Sequence, residues 1–162
     1  EGGNMANKLG LMEERLADVE RKIVNLKMNL IDEWFTFNKK QFDFEYLVEL
    51  HNFLFNDFYF KYDAEVRNLT NIEKNIINDY FNKLNYLCIN EPNKLEEILL
   101  IIRELWGLQI FVVGNTRTLL TLLKIINDAF YLNLDVDINI EINSNPRIFE
   151  LQNFVNQKGL TK

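Results

Sequence analysis

Residues 109–120 read QIFVVGNTRTLL, and the fold turns on how that stretch is divided. Ahead of it, Ile98, Leu99, Ile102, Leu105 and Trp106 recur at helical spacing; behind it, Leu119, Leu122, Leu123, Ile126 and Phe130 do the same. Gly114 and Asn115 break the run, so one buried helix ends and another begins near Asn115 and Thr116. The first amides of a helix have no intrahelical partner and lie at the positive end of its dipole. With the Arg117 guanidinium beside them, Gly114, Asn115, Thr116 and Arg117 have the makings of an anion pocket. The plainer reading of the same letters is a helix-to-helix turn with an arginine on the surface.

Working outward, Asn93 and Glu96 are spaced as a capping box for the helix leading into the stretch. Asn90-Glu91-Pro92 stops the helix before it, which follows Thr70 and carries Ile76, Ile77, Tyr80, Leu84 and Leu87 inward. Asp43 is a good N-cap for another helix, with Leu47, Leu50 and Leu54 on its inner face. Residues 35–44 and 56–68 lack a stripe and read as connections. Nearest the start, Leu9, Met12, Leu16, Val19, Ile23, Leu26 and Leu30 alternate spacings of three and four along a long helix. That stripe fits a helix laid across the domain's own core, the favoured reading, or the seam of a homodimer.

Beyond Phe130 the period changes. Val136, Ile138, Ile140 and Ile142 alternate with Asp137, Asn139 and Glu141, which predicts an extended loop or edge strand with no second run to pair with. Pro146 then opens a last helix packed down by Phe149, Phe154 and Val155. The expectation is an all-α single domain over residues 5–162, with residues 1–4 a cloning remnant before Met5 and at most a short extended segment near 136–142.

The stretch at 109–120 resembles the Fic signature HPFx(D/E)GN(G/T)RxxR, matching at Phe111, Gly114, Asn115, Thr116 and Arg117. NKLGL at residues 7–11 resembles the opening of that family's first helix. LVELHNFLFNDFY at residues 47–59, followed by Ala64, Glu65, Val66 and Arg67, resembles its IHxxLFxDxY and WAGxIR blocks. The resemblance implies a Fic-type bundle of about six to seven helices. It also implies a protein adenylyltransferase ancestry, of the kind described as cell filamentation proteins, in which ATP supplies AMP to protein hydroxyls.

Carried over position by position, the resemblance places Gln109 where the family's catalytic histidine stands, Ile110 at the proline, Val113 at the acidic metal ligand and Leu120 at the final arginine. A glutamine amide accepts no proton near neutrality, and losing a positioned base costs on the order of 10²- to 10⁴-fold in rate. Valine offers no oxygen to Mg²⁺, which wants oxygen ligands in octahedral array. The implied cofactor is therefore ATP with its Mg²⁺ site lost and no metal ligand assigned, held by Gly114, Asn115, Thr116 and Arg117. The target-aligning flap of active relatives would have only residues 68–71 to form it.

His51, the sole histidine, shares a helical face with Leu47, Leu54 and Phe55 and reads as a hydrogen-bonded core residue, not a relocated base. Cys88, the sole cysteine, reads as packing and excludes an internal disulfide; it fits a reducing, cytoplasmic setting. Glu96 and Glu97 read as a solvated helix start. A net charge of -6 argues against nucleic acid, and the apolar stretch near 98–113 is interrupted by Arg103, Glu104 and Gln109, which argues against a membrane span. Three functions stand: an impaired adenylyltransferase that keeps its nucleotide loop, an active one, or a structural interaction module. Partners would be a protein target, an antitoxin-like protein, or a second copy joined through the stripe from Leu9 to Leu30.

Overall fold

The computed structural model describes residues 9–31, 41–57 and 66–134. Among them the chain is all-helical: α1 (Glu13–Asn29), α2 (Phe44–Phe55), α3 (Asn71–Asn90), α4 (Leu95–Gly107) and α5 (Asn115–Phe130). No strand forms among these residues; a lone antiparallel bridge joins Val66 to Phe111. The alternating segment at 136–142, the last helix after Pro146 and most of the connection at 56–68 lie outside the described residues.

Helix starts follow local chemistry. The Asp43 carboxylate accepts the Tyr46 amide, and Thr70 and Glu73 form a reciprocal capping box that opens α3. The box expected from Asn93 and Glu96 does not form. Lys94 is the N-cap of α4 and makes no side-chain cap, its ammonium turning instead to Glu91 and Glu97.

α5 is the centre of the bundle. Ten of its 16 residues are buried, and it packs against α2, α3 and α4, while α1 lies along α2. Four of those ten, Asn115, Thr116, Thr118 and Thr121, are polar, so enclosure by neighbouring helices rather than an all-apolar sequence is what buries it. Two expected faces are rotated. In α3, Phe81 rather than Tyr80 fills the core, and Ile76 is 37% exposed. In α1 Leu16, Val24 and Met28 are buried, as is Ile31 just past its end, and Val19 and Ile23 pack against the core half-buried, whereas Leu26 and, ahead of the helix, Leu9 and Met12 are exposed. The rotation buries Glu20 and Lys27, and it is tolerable because both charges meet partners inside. Lys27 donates to the Phe53 carbonyl at 2.8 Å, pairs with Asp57 and lies over the Phe53 ring.

Cys88 is buried among apolar neighbours, which pushes its thiol up to about 11 and leaves it inert. Among the described residues no helix is long and apolar enough to cross a membrane.

Candidate functional site

The turn between α4 and α5 forms where the sequence places it. Gly107 ends α4, Gln109 takes a left-handed conformation with φ 48°, and Gly114, at φ 82°, is the N-cap of α5. Glycine is required at 114 on two counts. Its φ is one that other residues rarely adopt, and a Cβ there would stand 2.5 Å from the buried Phe55 ring. The first intrahelical bond of α5 runs from the Thr118 amide to the Gly114 carbonyl, so the amides of Asn115, Thr116 and Arg117 precede it.

The side chains at this turn are each engaged. Asn115 clasps Phe111, its Oδ1 accepting the Phe111 amide and its Nδ2 donating to the Phe111 carbonyl, both at 2.8 Å. Thr116 Oγ1 accepts the Trp106 indole N–H at 3.0 Å. Arg117 pairs with Glu20 of α1 at 2.9 Å, in a largely buried contact, and its guanidinium lies over Phe55 at 4.8 Å. Gln109 donates to the Trp106 carbonyl at 2.9 Å and accepts from Asn115 at 3.4 Å, so its amide serves the turn.

Two residues from distant stretches converge on the same loop. His51 Nε2 donates to the Val113 carbonyl at 2.9 Å, and its ring stacks on Phe111 at 4.0 Å, nearly parallel at 7°. Its pKa is lowered to about 4, chiefly by burial, with the Val113 bond opposing the fall and the nearby Arg117 charge adding to it. It is a neutral donor and buried, so it reads as architecture. Arg67 donates to the carbonyls of Leu108 and Gln109, each at 2.8 Å, and pairs with Glu73 at 2.7 Å. Its own amide reaches the Ile110 carbonyl at 2.9 Å. A guanidinium at the open carbonyls of a helix end satisfies them and complements the dipole. The Arg67 guanidinium also holds the Glu73 carboxyl at about 2, well below the usual carboxylate range.

The expected phosphate residues therefore do gather at one helix start, with Gln109 beside them. Glu20 and Arg67 are the additions. Arg67 was visible only as part of a motif block; nothing in the local sequence of α1 singles out Glu20, whose partner is 97 positions away. The clasp of Asn115 recurs twice: Asn85 holds the amide and carbonyl of Phe42, and Asn127 those of Leu134.

A cavity of about 680 Å³ lies at the opposite end of α5, lined by residues 92–97 and 130–133. A 16-residue helix spans about 24 Å, so this cavity is remote from the Gly114 turn. Among the described residues no group of three His, Cys, Asp or Glu side chains could hold a metal ion. The chain matches no protein-family model, and no curated protein matches its sequence.

Proposed function

We propose that this chain is a Fic-type helical protein whose turn before α5 survives as a phosphate-binding loop that no longer supports AMP transfer. The observation that carries the reading is convergence on one loop. Arg67 and His51 belong to the two flanking blocks that resemble the family, and both bond the first part of the stretch that resembles the signature, Arg67 at Gln109 and His51 at Val113.

The chemistry left to the loop is that of a weak anion cradle. The leading amides of α5 and the helix dipole favour a negative group. The Arg117 charge is already offset by Glu20, so the added electrostatic pull is small. Gln109 takes up no proton, and the Val113 carbonyl, already accepting from His51, is a poor substitute for a carboxylate toward Mg²⁺. ATP would bind through its phosphates, weakly and without need of metal.

Calorimetric titration with ATP and with Mg·ATP tests this. The expected result is weak binding of the same strength in both, with no transfer of labelled AMP to any protein of a lysate. Label transfer that Arg117→Ala abolishes would instead establish an active adenylyltransferase.

A second reading has its own support. Asn115, Thr116, Arg117 and Gln109 all commit their side chains to partners within the chain, as an architectural turn would. Under that reading the folded protein binds neither ATP nor Mg·ATP and acts only through its surface.

A further inference from the structure

We draw no further inference here: the strongest candidate, the cavity of about 680 Å³ between the start of α4 and the end of α5, rests on a helix N-terminus and the carboxylates of Glu96 and Glu97, with no second observation that points to a ligand.

Discussion

At the start of α5, Asn115 clasps the backbone of Phe111; at its end, Asn127 clasps the backbone of Leu134 in the same way. What surrounds the two clasps differs. At the start, Phe55, Phe111, His51, Trp106, Arg117 and Glu20 pack against the turn and one another, and glycine alone fits at 114. At the end, the helix opens on a 680 Å³ cavity, and its left-handed residue is Tyr131, 89% exposed. The same local device serves a closed joint and an open one. Tertiary surroundings, not the clasp, set how much change each end tolerates.

The largest effect should come from closing the last space at the packed end. Gly114→Ala forces an L side chain into φ 82° and drives its Cβ to 2.5 Å from a ring that has nowhere to go. The left-handed penalty and the overlap together make a loss of about 4 kcal/mol of folding stability, read by denaturant unfolding. Phe55→Leu alone should also destabilise. Combined with Gly114→Ala it should cost clearly less than the sum, because the ring is one half of the overlap. Strict additivity would show that the Phe55 ring is not what excludes a side chain at 114.

Next in size is a pH effect confined to the packed end, where the only histidine sits. The folded pKa of His51, about 4, is below its ordinary 6.5 because burial disfavours the cation. Between those values the unfolded chain binds the proton and the folded one does not, so stability falls as pH falls. The contribution is complete above pH 6.5. It declines by about 2 kcal/mol at pH 5 and about 3 kcal/mol near pH 4, at 1.36 kcal/mol per unit. An unfolding series from pH 7 to 5 reads it, and His51→Gln, which keeps a donor for the Val113 carbonyl, should flatten the slope in that window. A slope that survives the substitution would place the acid sensitivity elsewhere.

What was legible in the sequence follows the same division between local and tertiary causes. The break at Gly114, the cap at Asp43 and the start after Thr70 are set within a few residues, and all three stand where periodicity and turn chemistry put them. The inner faces of α1 and α3 are legible in part: Leu16, Val19, Ile23, Ile77, Leu84 and Leu87 meet the core as their spacing predicts, while Leu26 and Ile76 do not, because each helix carries more apolar residues than one face holds. In α1 the partners that let Glu20 and Lys27 go inside with Val24 and Met28 come from other elements, beyond the reach of local spacing. Asn115 is legible as the residue that opens α5, but its clasp on Phe111 is not, and neither are those of Asn85 and Asn127. A two-bond grip on a remote backbone leaves no trace in spacing. The capping box at Asn93 failed for the converse reason: the letters were right, but the helix begins one residue later, at a Lys94 whose charge two glutamates claim.

The smallest effect, and the only gain, should come at the open end. Tyr131 holds φ 52° and ψ 48° at the C-terminus of α5, while the Leu132 amide reaches back five residues to the Asn127 carbonyl at 3.2 Å. That bond is the signature of a helix ending in which glycine is the preferred left-handed residue. Because the Tyr131 ring is almost wholly in water, removing it gives up little packing, and glycine removes the strain of the left-handed turn. Tyr131→Gly should therefore stabilise the fold by about 1 kcal/mol, seen as a higher midpoint in thermal unfolding. The same replacement in reverse, glycine for a side chain at 114, is the most damaging in the set, although both positions are left-handed and both flank α5. A loss on Tyr131→Gly would mean that the ring covers part of the neighbouring cavity, and that the two ends of the helix are more alike than their surroundings make them look.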